Sequence, residues 1–276
     1  MSYQVNITLS DFVRLKEEFP DKSESLESVV TYRGSKATIL LADLTPEVRR
    51  DFGEDLSNRL FRLAVPLSEA RALSYHLQTR EVLALPRSKS TDILEVGPGR
   101  GEFGALVRNY GYNLITIDAD PNTGTDILAD MREIPVLSKV FDVVCAFEVL
   151  QHLPHEFFQS VLAEFTRCAR NYVYLSLPSQ GSSIYLQVKG RFTGRLRPLS
   201  FDIGVSKLLP SRVGDVNDSQ LMNREDYRNP HYWEVNRRSF PEKRVLGEIE
   251  ECGLKVLKAF HNPRFTYHYF ILCEVA

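Results

Sequence analysis

The chain has 276 residues, 43% hydrophobic and 25% charged, which is ordinary globular usage and enough length to bury a substantial core. A formal net charge of −2 leaves no bulk electrostatic footprint for a nucleic-acid backbone. No run of about twenty apolar residues occurs and no charged-then-apolar leader follows Met1, so neither a membrane span nor a secretion signal is expected, and the cytoplasm is the default compartment.

The four cysteines, Cys145, Cys168, Cys252 and Cys273, lack a C-x-x-C spacing and read as buried thiols rather than as disulfides or a metal site. No metal, nucleic-acid or membrane partner is expected from composition, and the oligomeric state stays open. In the N-terminal segment, residues 1–85, Tyr3 to Leu9 and Thr38 to Leu41 are candidate strands, and Asp11 to Phe19 and Asp21 to Val30 candidate helices. Thr45 to Leu85 is helical by composition, opened by Thr45 as N-cap with Pro46 at the first helical position. The segment is therefore expected to be mainly helical.

Thr91 to Gly104, T-D-I-L-E-V-G-P-G-R-G-E-F-G, is a buried strand that ends in an acidic, glycine-rich turn and opens a helix at Phe103. Gly97, Gly99 and Gly101 let the backbone turn sharply and approach a ligand that a Cβ would push away. This is the first βα unit of a Rossmann-like sheet, where ligands bind at the carboxyl ends of the strands. Read from Gly99, the turn also gives G-x-G-x-x-G through Gly101 and Gly104, the dinucleotide fingerprint, but Gly97 and Pro98 then intervene after the strand and Gly104 falls inside the helix. Glu95 at the strand's end would repel a pyrophosphate and suits an ammonium.

Tyr112 to Ile117 is a second strand ending at Asp118, about twenty residues after the turn, where a carboxylate can take two ribose hydroxyls. Only Ala119 to Thr125 lead to the next short strand, Asp126 to Ala129, too few residues for the usual crossover helix. Val140 to Phe147 is apolar throughout and reads as a central strand. His155 to Arg170 is an amphipathic helix with Phe157, Phe158, Val161, Leu162 and Phe165 on one face, followed by a strand from Asn171 to Leu177. Pro241 to Cys252 is a helix capped by Gly253, and Leu254 to Phe260 with Tyr267 to Glu274 form a terminal strand pair.

E-x-G-x-G-x-G from Glu95 resembles motif I of the class I S-adenosylmethionine-dependent methyltransferases, and E-V-L-Q-H-L-P from Glu148 to Pro154 resembles that family's E-V-L-E-H-L-P segment, with Gln151 in place of an acidic residue. The D-x-D-P-N loop resembles one found in bacterial type 11-like methyltransferases of unassigned substrate. The resemblance implies an α/β fold with a mostly parallel seven-stranded sheet whose last strand is antiparallel, helices on both faces, and a catalytic domain over residues 86–276. It also implies methyl transfer from S-adenosylmethionine, with S-adenosylhomocysteine as product. Glu95, Gly97, Pro98, Gly99 and Gly101 would hold the methionine part, Asp118 or Asp120 with Ala119 the ribose, and Asp130 and Met131 the adenine, with Phe147 and Glu148 also beside the cofactor. An N/D-P-P-Y/F turn for base exocyclic amines and a Pro-Cys nucleophile for cytosine are both missing, which leaves O-, N- or C-methylation of a small molecule, sugar, lipid head group or protein side chain, with a hydroxyl of a small molecule or glycan as the expected acceptor. The alternatives are a non-catalytic cofactor-binding scaffold and a nicotinamide-dependent oxidoreductase.

An insertion at 179–240 interrupts the pattern before the last helix and is the expected source of specificity. His231, Tyr232, Trp233 and Glu234 offer a stacking wall and proton acceptors, and Tyr185 a further aromatic contact, for substrate. His152, at the end of the fourth strand, and His231 are the candidate general bases for a hydroxyl acceptor.

Overall fold

Strands that run apolar without alternation must be covered on both faces, and the central strands of this protein are of that kind. In the computed structural model, which describes residues 4–33, 36–40, 51–52, 56, 68–86, 91–192, 199–209, 214–216 and 231–276, they lie in the middle of a seven-stranded sheet. The chain divides into two compact units, Met1–Ser68 and Glu69–Ala276.

The described part of the first unit is a three-stranded antiparallel sheet of β1 (Gln4–Thr8), β3 (Lys36–Leu40) and β2 (Val30–Arg33), with helices α1 (Leu9–Glu18) and α2 (Ser23–Val29). Phe12, Leu15, Leu26, Ala37, Ile39, Phe52 and Leu56 make its core. Its strand Val30–Arg33 is not among the strands expected from the sequence. Val30, Thr31 and Tyr32, β-branched and aromatic, form the strand between β1's partner and α2, which is what such residues favour. Of the long helix expected over Thr45 to Leu85, α3 (Glu69–Ala84) is described and falls in the second unit. The cap at Thr45 and Pro46 lies outside the described residues.

In the second unit the strand order is β11-β12-β8-β7-β4-β5-β6, with β11 Leu254–Asn262, β12 Phe265–Val275, β8 Ala169–Pro178, β7 Phe141–Phe147, β4 Asp92–Val96, β5 Asn113–Asp118 and β6 Ile127–Leu128. β12 runs antiparallel to both neighbours, while β4, β5, β6, β7 and β8 pair in parallel. Helices α4 (Glu102–Asn109), α5 (Phe158–Cys168) and α6 (Glu242–Glu251) supply covering layers, α5 through Phe158, Val161, Leu162, Phe165 and Cys168. One core cluster centres on Leu94, Val144 and Val173 and takes in α5 and α6; the other centres on Ile93, Val143 and Tyr174 and takes in α3 and α4. Successive residues of one strand thus feed opposite cores, as the period of two requires.

The crossover from β5 to β6 has no helix, only a short turn at Pro121–Thr123. Asp126 substitutes for the pairing that a longer strand would give: its carboxylate accepts hydrogen bonds from the Thr116 backbone N–H and hydroxyl, each at 2.8 Å. The insertion after β8 forms a separate two-stranded ribbon, β9 (Ser182–Phe192) with β10 (Leu199–Leu209), and its end returns to the sheet, where Val235 bridges Ser179.

Candidate active site

The carboxyl ends of β4, β5, β7 and β8 open at one edge of the sheet. After β4, Gly97, Gly99 and Gly101 adopt φ of +66°, +56° and +79°, conformations that L side chains rarely take. Gly97 donates to the Ile117 carbonyl at 2.8 Å, and a Cβ there would stand 2.5 Å from Val149 Cγ2, in the turn after β7. At Gly99 and Gly101 nothing lies within 4 Å of an added Cβ, so the outer face of the turn is open. Gly104, inside α4, has a packing role: a Cβ would meet Leu114 Cδ2 at 2.8 Å and Glu95 Oε2 at 3.1 Å. Glu95 is 3% exposed and packs beneath Gly104, and burial pushes its carboxyl up to about 8, against the opposing pull of Arg108.

After β5, Asp118 Oδ1 accepts the Asp120 N–H at 3.0 Å and so shapes the loop through Ala119; burial raises its carboxyl, partly offset by that hydrogen bond. Ala119 and Asp120 are exposed. Asp130 is gripped by Arg132, whose Nε reaches both carboxylate oxygens at 3.0 Å and whose Nη2 reaches Oδ2 at 2.6 Å. Met131 packs partly buried against the main core. Phe147 meets Phe103 and Tyr174 edge-on at 4.9 and 5.2 Å.

After β7, Glu148 holds a left-handed φ of +56° while its N–H donates to the Ser176 carbonyl at 3.0 Å. Its Oε1 accepts the Ser176 hydroxyl at 3.0 Å, and burial pushes the carboxyl up to about 8, with the nearby Glu234 charge adding to the rise and Arg71 opposing it. The next turn, Leu150–His152, is joined to the insertion by the Tyr232 N–H donating to the Gln151 carbonyl at 2.9 Å. That contact sets the His231 ring edge-on to His152, with centroids 5.0 Å apart.

His231 Nδ1 lies 2.9 Å from Glu234 Oε1, and the Tyr267 hydroxyl lies 2.8 Å from the same oxygen and 3.0 Å from Nδ1. The other carboxylate oxygen accepts from Gln180 Nε2 at 2.7 Å and from Arg237 Nε at 2.6 Å. Burial alone would raise Glu234, but the hydrogen bonds from His231 and Tyr267 and the Arg237 charge outweigh it and hold the carboxyl at about 2. An ionised carboxylate only accepts, so the neutral imidazole carries its proton on Nδ1 and presents Nε2 as a base. The His231 side chain keeps 22% of its surface exposed while Glu234 keeps 4%.

A family model described as a methyltransferase domain matches residues 69–257, more than half of the chain. The chain belongs to this methyltransferase family. No curated protein sequence matches it. Among solved structures, magnesium protoporphyrin IX methyltransferase from Synechocystis superposes with a TM-score of 0.51 at 11% identity, covering 83% of this chain and 98% of that one. A protein from Pyrococcus horikoshii gives 0.48 at 12% identity over 81% and 100% of the two chains. The 1,6-didemethyltoxoflavin-N1-methyltransferase of Burkholderia thailandensis gives 0.46 at 12% over 75% and 78%. At such identities the likeness is one of fold.

In this methyltransferase the site residues expected from sequence are not all brought together. Gly97, Pro98, Gly99 and Gly101, Asp118, Ala119 and Asp120, and Glu148, His152 and His231 line the strand-end edge. Trp233 does not: it is 1% exposed and packs on Phe158 and His155, both at 4.9 Å between ring centroids, so it is a core residue and no stacking wall. Glu234 likewise faces inward, onto His231, rather than toward a substrate. Asp130 spends its carboxylate on Arg132. Tyr185 stands on the ribbon, partly exposed, and Tyr232 is 37% exposed at the mouth.

Tyr267, Arg237, Gln180 and Ser176 escaped the sequence reading. Arg237 follows Glu234 by three residues as Glu234 follows His231, a periodic H-x-x-E-x-x-R that was open to inspection. Tyr267 arrives from the terminal strand pair and carries no local signal. Tyr75 of α3 also reaches this edge, since Glu102 and the Arg100 charge beside the glycine turn act on its hydroxyl after burial has raised it.

Proposed function

We propose that the protein transfers a methyl group from S-adenosylmethionine to a hydroxyl of a small molecule or glycan, with His231 as general base. The observation that carries the reading is the buried, ionised Glu234 fixed to Nδ1 of a partly exposed imidazole at the same sheet edge as the glycine turn. When bound, S-adenosylmethionine supplies a sulfonium methyl group open to in-line attack.

The residues present fit that cofactor. The open outer face at Gly99 and Gly101 admits a ligand against bare backbone, where a Cβ would intrude. Gly97 to Gly101 would hold the methionine portion, and Asp118, with the exposed Asp120 beside it, the ribose hydroxyls. Asp130 would reach the adenine only by leaving Arg132, and Met131 is the better neighbour for its face. Glu148, shielded and beside Ser176, would orient the cofactor or the acceptor.

A hydroxyl must lose its proton as it is alkylated, whereas a neutral amine attacks with its lone pair and loses the proton afterwards, so a positioned base favours an oxygen acceptor. Nε2 of His231 would take that proton, and the resulting imidazolium would be held by Glu234 at Nδ1. His152, ring to ring with His231, would help to fix its plane. Positioning and exclusion of water supply the rest of the rate.

The test is calorimetric titration with S-adenosylmethionine, S-adenosylhomocysteine and NADH on the protein and on Gly99→Arg and Asp118→Ala, followed by transfer of labelled methyl to a panel of hydroxyl and amine acceptors. Micromolar binding of the first two, lost in both variants, with label on oxygen, is the expected result. Binding of NADH alone, or label only on nitrogen with His231→Ala fully active, refutes the reading.

A further inference from the structure

The Glu234 carboxylate lies between an imidazole and a guanidinium. Its Oε1 meets Nδ1 of His231 at 2.9 Å, while Oε2 meets Nε and Nη2 of Arg237 at 2.6 and 2.5 Å. The Arg237 side chain is 12% exposed and that of Glu234 4%, so salt and water screen the pair little. Arg237 is itself fixed. Its Nη1 donates to the Gly214 carbonyl at 2.5 Å, and the next residue, Asp215, accepts the Ser239 N–H at 2.8 Å and hydroxyl at 2.6 Å. A carboxylate that had only to orient the ring already has Tyr267 and Gln180 as donors. The guanidinium adds a full charge.

That charge bears on which form of His231 persists. A buried carboxylate with no cation of its own, placed at Nδ1, would hold the imidazolium as an ion pair, because opposite charges attract more strongly away from water. A general base must instead be unprotonated before it acts. Glu234 and Arg237 together carry no net charge, so a proton arriving at Nε2 adds charge to a neutral pair rather than cancelling an anion. The carboxylate still accepts from Nδ1 and orients the ring, but its pull on a second proton is weakened.

The other groups around the ring do not supply this. Among the described residues, Tyr267 comes from β12 with its hydroxyl 3.0 Å from Nδ1, and burial with the Glu234 charge keeps that phenol protonated. His152, from the turn after β7, meets the ring edge-on at 5.0 Å. The Glu148 carboxyl is near enough to act on Glu234 and Tyr267, and Asp215 lies beside Arg237. Arg237 is the cation on Glu234.

We propose that Arg237 is a positioning residue: by sharing the charge of Glu234 it keeps His231 an unprotonated base. The proposal rests on the reading of His231 as general base. In each turnover the acceptor's hydroxyl proton would pass to Nε2 as its oxygen gains the methyl group, and the partly exposed imidazolium would then return that proton to water. An imidazolium paired with an uncompensated carboxylate would keep it.

The test is a proton NMR titration of the His231 ring in the cofactor-free protein, with its signal assigned by loss in His231→Gln, alongside the pH dependence of kcat/KM for methyl transfer. In Arg237→Gln the ring midpoint and the acidic limb of the rate profile are both expected about one unit above the native values. Arg237→Lys, which keeps the charge without the fork, is expected to stay close to native. If circular dichroism shows Arg237→Gln to be unfolded, Glu234→Gln/Arg237→Gln replaces it, because it buries no unpaired charge, and its midpoint is expected above that of Glu234→Gln alone. A midpoint unmoved or lowered in the folded variant overturns the proposal and leaves Arg237 a structural brace. A shift of equal size in Arg237→Lys also overturns it, by tracing the effect to lost geometry. The ring titration needs no turnover, so a raised midpoint with His231→Ala fully active would support the coupling of Arg237 to the ring and refute, separately, the reading of His231 as base.

Discussion

Glu234 holds His231 by its Nδ1 at 2.9 Å, from a position three residues along the same returning segment, and is itself held by Tyr267, Gln180 and Arg237. Glu234→Gln replaces an acceptor-only carboxylate by a neutral amide that can accept from Nδ1 or donate to it, so the proton is no longer fixed on Nδ1. Nitrogen-15 shifts of the His231 ring are expected to report the Nδ1–H tautomer in the native protein and a mixture in the variant. Methyl transfer is expected to fall by about 10²–10⁴-fold in His231→Ala, the range of general-base contributions, with S-adenosylhomocysteine affinity unchanged. A variant that weakens the cofactor and spares turnover would assign His231 to binding.

Three glycines, two in the turn after β4 and one in the helix behind it, are expected to answer differently to alanine. Gly97→Ala drives a methyl into Val149 and Gly104→Ala drives one into Leu114, so both should lower the thermal midpoint, each costing about 1–3 kcal/mol as overpacking. Gly99→Ala meets no protein atom, so its effect on stability is confined to left-handed strain of about 1–2 kcal/mol while its methyl occupies the open face of the turn. Loss of cofactor affinity in calorimetry should exceed tenfold for Gly99→Ala. Equal affinity losses in all three would point to collapse of the turn instead.

Two buried carboxyls make stability depend on pH in an uncommon direction. Glu95 and Glu148 sit at about 8 in the folded protein against 4.5 when unperturbed, so the folded state holds protons that the unfolded state has released. Their contribution is fully present below the unperturbed value and is lost as pH rises toward about 8, on the order of a few kcal/mol. Glu234, held at about 2, has the opposite sign: its contribution is present above 4.5 and lost as pH falls toward 2. The melting temperature of the cofactor-free protein should therefore decline between pH 5 and 8, and Glu95→Gln should flatten that decline. A profile flat in the native protein would show that both carboxyls are ionised throughout.

Trp233 is the only tryptophan, which makes it a reporter of its own placement. Buried against Phe158, His155 and Phe240, it is expected to emit to the blue and to resist iodide quenching, with or without acceptor. Trp233→Ala should cost about 3–5 kcal/mol in chemical denaturation. Quenching that falls on adding acceptor would return Trp233 to the pocket.

Local order was open to inspection in the sequence wherever one segment contains its own reason. The glycine turn, the apolar run of β7, the helix face of Phe158 to Phe165 and the short loop after Asp118 are each decided by neighbouring residues, through backbone freedom, burial on both faces, or periodicity. Together they were enough to specify a mostly parallel sheet and the strand ends at which a ligand is expected. The strand Val30–Arg33 was hidden because four residues without strong alternation borrow their structure from β3. Which way a carboxylate or an indole turns was decided only in three dimensions. H-Y-W-E reads as four adjacent site residues, yet the backbone bond from Tyr232 to Gln151 leaves His231 and Tyr232 at the mouth and sends Trp233 into the core. Glu234 turns inward because Tyr267 and Gln180, from two other stretches of chain, converge on it beside Arg237 of its own segment. A buried charge needs several partners at once, and only the tertiary fold brings partners so distant in sequence to one carboxylate.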